Sequence, residues 1–244
     1  MLDLKPGFNS NLTTVKNISK RTVTFRDVLS GTNYMLSGSF LISAIHDFCF
    51  EYSDYDLYFS KKSDLKRAIH ALNKNKSFSL YLKSKYASTY LHKKTKEKIQ
   101  LVYKLRKDIK SLANSHDFHN CSLAYCSRTN MFYVSKKAYQ AWTNRTLDIN
   151  VSPVFDPNYP DMKYFNQLAL LLTRIEKYTK RYTLTISKAS RQKLSNIAYI
   201  YNLKMANYKH GIEYFYKPIL DYAGYHYVFV DIIKTAISKG VLKI

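Results

Sequence analysis

The sequence predicts an α+β protein, mixed strand and helix in its first part and helical in the remainder. Three observations carry this. Up to about residue 156, short runs of alternating apolar and polar residues are interleaved with stretches of helical spacing. After "FDPNYPD" the alternation stops and apolar residues recur at helical intervals to the end of the chain. A length of 244 residues with 46% hydrophobic content is ample for a buried core, in one large domain or two small ones. The expected division is a domain over 1–155 and a helical domain over 156–244.

Taken in order, residues 15–30 read as irregular to helical. "TNYMLSGSF", 32–40, is a strand running into a Gly-Ser turn, and "FLISAIHDF" has helical spacing through Leu41, Ile42, Ile45 and Phe48. "YDLYFS" is a strand. "KKSDLKRAIHALNKN" is a helix with Ser60 or Ser63 as its expected N-cap. The basic, tyrosine-dotted stretch 77–112 reads as strand followed by helix. "CSLAYCS" and "MFYVS" form a hairpin around Arg128-Thr129-Asn130, and "TLDINVSPVF" is a strand ended by Pro153. Beyond Asp161, "MKYFNQLALLLTRIEKYTKRY" carries an apolar stripe through Phe165, Leu168, Leu171, Leu172 and Ile175, and three further helical segments follow.

Several classes of function are disfavoured. The longest apolar run, "LALLL" at 168–172, falls far short of the ~20 residues that cross a bilayer, so no membrane partner is expected. "MLDLKPGFNS" has neither the basic nor the apolar region of a secretory signal. Three cysteines, an odd number, argue against a disulfide framework or a disulfide-linked partner and for a reducing, cytoplasmic setting. Neither a P-loop nor a nucleophile-elbow pattern is present. His116, His119, Cys121 and Cys126 lie close in sequence, but their spacing matches no common zinc motif, and ordinary loop histidines and buried thiols are the simpler reading.

The charge points the other way, toward a polyanion. The chain has 39 Lys+Arg against 17 Asp+Glu, a formal +22. Between 61 and 110 alone, 14 Lys and 2 Arg face Asp64, Glu97 and Asp108, a net of +13. A face of this kind binds nucleic acid in a salt-dependent way; the plainer reading is a solvated lysine-rich surface. In "SLYLKSKYASTYLHKK" tyrosines alternate with lysines, a pattern that suits base stacking beside phosphate neutralisation as well as ordinary packing. Lys83, Lys85, Lys93 and Lys94 are the candidate nucleic-acid contacts.

Against this background the pair Asp54 and Asp56 stands out. In a strand they share one face while Tyr55, Leu57 and Phe59 share the other, so two carboxylates project together within reach of one cation. In "TLDINV" Asp148 alternates in the same way with Leu147 and Ile149. If the two strands are neighbours, three carboxylates converge, and their repulsion calls for divalent cations; hard oxygen donors suit Mg²⁺ or Mn²⁺. An isolated Asp-x-Asp is also what a solvated edge strand looks like. What strengthens the metal reading is the compound signal of strand, Gly38-Ser39 turn, helix and then the acidic strand, because a glycine there lets backbone approach a phosphate.

The order "LSGSF … SDYDLYF … TLDINV" resembles the polymerase-β-type nucleotidyltransferase superfamily. "SDYDLYFSKKSDLKRAI" followed by "LTRIEKYTKRY" is similar, more narrowly, to small nucleotidyltransferase-like proteins of bacteriophages, although Tyr182 stands where those proteins often have Gly. The resemblance covers about residues 30–60 and 145–182 and leaves 75–140 unaligned. It implies a nucleotidyltransferase-like mixed sheet with flanking helices, followed by an all-helical C-terminal half. It also implies a two-metal nucleotidyl transfer. Asp54 and Asp56 would hold both ions, Asp148 would complete one ion's site, and Gly38 and Ser39 would contact the phosphates. Arg174, Lys177 and Lys180 are candidates to neutralise the triphosphate; their plainer reading is a solvated basic helix face. The function expected is a Mg²⁺-dependent (or Mn²⁺-dependent) transferase moving a nucleotide from an NTP to RNA or another nucleic acid, viral or phage in origin. Its alternatives are a transferase acting on a protein or small molecule, and a non-catalytic nucleic-acid-binding or virion-associated protein on the same fold.

Overall fold

The alternation at Tyr55 and Leu57, two side chains with no exposed surface, forms the middle strand of a mixed sheet. The computed structural model describes residues 10–46, 51–52, 54–150 and 161–196. They belong to two units, Met1–Thr143 and Asn144–Ile244.

In the first unit the described residues form a seven-stranded sheet of β1 (Met35–Ser37), β2 (Tyr55–Tyr58), β3 (Phe78–Lys83), β4 (Ala87–His92), β5 (Lys98–Val102), β6 (Leu123–Cys126) and β7 (Met131–Val134), in the order β3-β4-β5-β2-β1-β6-β7. β2 and β5 are parallel; every other pairing is antiparallel. A parallel neighbour cannot be reached by a tight turn, and here α4 (Lys62–Lys74) and the β3–β4 hairpin fill the crossover. The other helices of this unit are α1 (Ser10–Arg21), α2 (Val23–Arg26), α3 (Ser39–Ile45), α5 (Ile109–Ala113) and α6 (Lys136–Thr143). Mixed sheet and flanking helices are the nucleotidyltransferase-like arrangement expected.

The two faces of the sheet differ. On the first, α3 and α4 pack over β2, β5 and β3. Phe25, Phe40 and Tyr55 are fully buried there, with ring centroids 4.9 Å apart for Phe25–Tyr55 and 4.6 Å for Phe40–Tyr55. Each such ring withdrawn from water contributes about 1.5–3 kcal/mol. The Tyr55 hydroxyl donates to Glu97 Oε1 at 2.8 Å and lies 3.1 Å from the Arg21 carbonyl. Burial, aided by hydrogen bonds to Tyr52 and Glu97, pushes this phenol far above its ordinary range, so it stays neutral. On the second face α5 covers β1, β6 and β7, packing Leu112 and Ala113 on Met35 and Ala124. That helix begins in a capping box: Asp108 accepts the Ser111 N–H at 2.7 Å, and the Ser111 hydroxyl oxygen accepts the Asp108 N–H at 3.0 Å.

Two expectations for this unit are corrected. Residues 77–112 hold three strands before α5, not one. The outer half of β3 is exposed on both sides, so its residues carry no inside–outside pattern to read. The N-cap of α4 is neither Ser60 nor Ser63 but Lys61, in extended conformation with no side-chain cap bond. Instead Asp64, buried in the first turn, accepts the Asn33 N–H at 3.3 Å and pairs with Arg67, tying the helix start to the chain before β1.

The second unit, described by itself, contains β8 (Thr146–Leu147), α7 (Asp161–Tyr182), β9 (Thr185–Ile186) and a helix over 188–196. The strand expected over 146–155 is described only as the two-residue β8, paired in parallel with β9. β9 is thus a strand inside a half read as all helix. Ser190 Oγ accepts the Ile149 N–H at 2.8 Å and Lys193 Nζ donates to the Ile149 carbonyl at 2.7 Å, which holds the backbone next to Asp148 in place. On α7 Leu171, Leu172 and Ile175 are buried as the stripe requires. The side chains of Phe165 and Leu168, the stretch around Pro153, Phe48, Cys49 and the helices expected beyond 196 lie outside the described residues. No described helix is long and apolar enough to cross a membrane.

Replacing Asp64 by Ala leaves the Asn33 N–H without its acceptor and should cost about 1–3 kcal/mol. Arg67→Ala, at a side chain 58% exposed, should cost less than about 1 kcal/mol. Urea midpoints of the two variants check the ranking.

Candidate active site

Three consecutive residues at the end of β1 build the site. Ser37 ends the strand, Gly38 turns the chain and Ser39 begins α3. Gly38 sits at φ +87, ψ −159, a region open in practice to glycine. Space demands glycine as well: a Cβ there would collide with Oδ2 of Asp56 and stand 3.4 Å from its Cγ. The Asp56 carboxylate therefore lies directly against the backbone of the Gly-Ser turn. The sheet register agrees, since Ser37 is the antiparallel partner of Asp56.

Ser37 is fully buried and doubly engaged. Its hydroxyl donates to the Leu123 carbonyl at 2.7 Å, and its oxygen lies 2.6 Å from His116 Nε2. A hydroxyl has one proton to give, so His116 donates from Nε2. The loop holding His116 is thereby fastened to the strand end opposite Asp56. Asp54 and Asp56 are both half-buried; Asp56 lies on the face away from Tyr55 and Leu57, and Asp54 immediately precedes β2. On that face the register places Gln100 beside Asp56 and Thr89 beside Gln100, and Gln100 Nε2 donates to Thr89 Oγ1 at 3.4 Å.

The remaining expected site residues are placed as follows. Gly38, Ser39 and Asp56 are brought together. Lys93 and Lys94 are exposed in the turn after β4, at the end of the sheet where Gly38 lies; Lys83 and Lys85 are exposed at the opposite end of the same hairpin. In the second unit Asp148 is half-buried just after β8, which pairs with β9 and is no member of the seven-stranded sheet. On α7 Arg174 and Lys177 are exposed, and Lys180 is bonded to Glu176 at 2.9 Å. Sequence reasoning missed Ser37, set His116 aside as an ordinary loop histidine, and missed Gln100 and Thr89. The position of Ser37 next to Gly38 was a signal for the first; a bond spanning 79 residues left none for the second.

Among the described residues no three His, Cys, Asp or Glu side chains are grouped as a metal shell. The acidic pair nevertheless fits magnesium, which is held in nucleotide sites by one or two carboxylates plus substrate phosphates, the rest of its shell being water. The backbone against which Asp56 rests has no side chain to obstruct a phosphate.

The model of the Gabija anti-defense 2 family protein matches residues 8–145. No curated protein matches the chain. Among solved structures, the chain is similar to a CCA-adding enzyme in its apo form I, with 12% identity over 82% of this chain and 47% of that one at a TM-score of 0.55. It is similar to a tRNA-processing enzyme, apo form I, with 10% identity over 82% and 49% at 0.52. A tRNA-processing enzyme with CTP is matched at 11% identity over 92% and 55%, with a TM-score of 0.51. The chain thus spans about half the length of these enzymes, and at such identities the likeness is one of fold.

Gly38→Ala should destabilise the protein by about 1–3 kcal/mol through its positive φ alone, and it should displace the Asp56 carboxylate. Thermal unfolding beside Gly31→Ala, which shares a positive φ but has open space around it, separates strain from collision.

Proposed function

The chain belongs to the Gabija anti-defense 2 family, and from that premise we propose that it is a Mg²⁺-dependent nucleotidyltransferase moving a nucleotide from an NTP to a nucleic-acid acceptor, RNA first among them, the acceptor oxygen bonding the α-phosphorus as pyrophosphate leaves. One observation carries the reading: Asp56 lies against the Gly38-Ser39 turn on a nucleotidyltransferase-like sheet, and Asp54 stands two residues before it in the sequence. In this reading Asp54 and Asp56 hold the metal ions, with Asp148 as the third carboxylate. The bound ions would neutralise the triphosphate and favour ionisation of the acceptor hydroxyl. Gly38 and Ser39 offer backbone and hydroxyl to the phosphates. The Ser37–His116 bond keeps the turn from shifting away from β2. Arg174, Lys177 and Lys180 balance phosphate charge, and Lys83, Lys85, Lys93 and Lys94 hold the acceptor backbone. The anti-defense designation of the family fits a phage-encoded product at work in the host cytoplasm.

A second reading, a non-catalytic nucleic-acid-binding protein on this fold, is favoured by one observation. The charge excess, 39 Lys+Arg against 17 Asp+Glu, suits binding of a polyanion without any chemistry.

Incubation with Mg²⁺, each labelled NTP in turn and total RNA should transfer label to RNA, and Asp54→Asn or Asp56→Asn should lower the rate by at least about a hundredfold. Label on protein instead would change the acceptor class. No transfer, with salt-sensitive RNA binding retained by both forms, would establish the second reading.

A further inference from the structure

The face that bears the carboxylates does not stop at them. The register sets Ser37, Asp56, Gln100, Thr89 and Leu82 side by side across β1, β2, β5, β4 and β3. Laterally paired residues point the same way, so these five line one face. Lys98, two residues before Gln100, shares that face, and its Nζ lies 4.9 Å from the centroid of the Tyr81 ring. Tyr81 therefore lies on the carboxylate side of the sheet. It is 58% exposed and its neighbour Leu82 is 59% exposed, whereas Tyr90, Ile99 and Leu101 on the other face of the adjacent strands are buried. Tyr86, 68% exposed in the hairpin turn, repeats the arrangement with Lys85 Nζ 5.0 Å from its ring.

From this geometry we infer that the face is the seat of a single-stranded nucleic-acid end, with the Tyr81 ring stacking a base behind the reacting terminus and Lys98 meeting the backbone phosphate; the inference rests on the nucleotidyl-transfer reading above. β2 and β3 are three strand spacings apart, about 14 Å, so the terminal nucleotides would run from Tyr81 to the carboxylates across the outer surface of Thr89, itself buried, and Gln100. Single strands present what Tyr–Lys pairs recognise, an exposed aromatic plane and a negative charge at every residue. A duplex hides its base planes. An added peptide strand is disfavoured because the register of edge strand β3 shifts between Leu80 and Leu82, interrupting the straight ladder such a strand needs.

The test is fluorescence anisotropy of the full chain with a 5′-labelled oligoadenylate RNA, its DNA equivalent, and the RNA annealed to its complement. Tyr81→Ala should weaken single-strand binding roughly tenfold or more, while Tyr81→Phe retains it. Lys98→Gln should lower affinity and reduce the salt slope by about one. Met131→Ala, an exposed site on β7 at the other edge of the sheet, should bind as wild type. Preference for RNA or for DNA would name the acceptor, and either supports the inference. Undiminished binding by Tyr81→Ala overturns it, as does equal affinity for duplex. The assay uses neither Mg²⁺ nor NTP, so it fails separately from the transfer reading. Tyr81-dependent binding without transfer leaves this face standing alone; transfer by a chain whose Tyr81→Ala variant binds normally removes the inference and keeps the enzyme.

Discussion

β2 cannot press Tyr55 and Leu57 against the helices without turning Asp56 to the opposite face, because successive side chains of a strand point opposite ways. In this chain the strand concerned is the middle one of seven. The hydrophobic burial that anchors the sheet therefore also aims the acid. A slip of one residue would bury a carboxylate beside Phe40 and expose Tyr55, an exchange opposed both by lost apolar burial and by the cost of an uncompensated buried charge. Core and site are consequently specified by the same four residues, and neither can be changed alone.

The second constraint is the missing side chain at Gly38. Backbone conformation and the proximity of Asp56 both require glycine there, for independent reasons. Ser37 on one side of it is locked by two hydrogen bonds, and Ser39 on the other enters a helix whose Phe40 packs on Tyr55. The turn is thus held from both sides while its own surface stays small. That combination of fixed backbone and free approach suits recognition of a phosphate group, whose oxygens need donors at close range.

Local pattern made much of this legible. The Asp-x-Asp alternation, the Gly-Ser turn, the 123–134 hairpin and the buried positions of α7 follow from periodicities of two and 3.6 residues, which a sequence displays directly. The β3–β4–β5 region did not, because lysines occupy positions that burial would otherwise mark, and its outer half is exposed on both sides. Residues 146–155 read as a strand equal to β2, yet Leu147 pairs with β9 and the Ile149 backbone bonds to Ser190 and Lys193, all some 40 residues away. Pairing partners are a property of topology, and alternation says only that a partner exists. The Ser37–His116 bond was hidden for the same reason.

The parallel pairing of β2 with β5 has a consequence for the order in which the chain is assembled. Neighbours such as β3, β4 and β5 meet through tight turns, with little loop entropy to overcome, whereas β2 reaches β5 only after residues 59–97 have closed into a loop. The tyrosine-bearing hairpin should therefore be protected from hydrogen exchange earlier in refolding than the amides of Tyr55 and Leu57. A chain emerging from the ribosome would acquire its basic surface before β2 is in position, so that Asp56 meets the Gly38-Ser39 turn only once the sheet is closed.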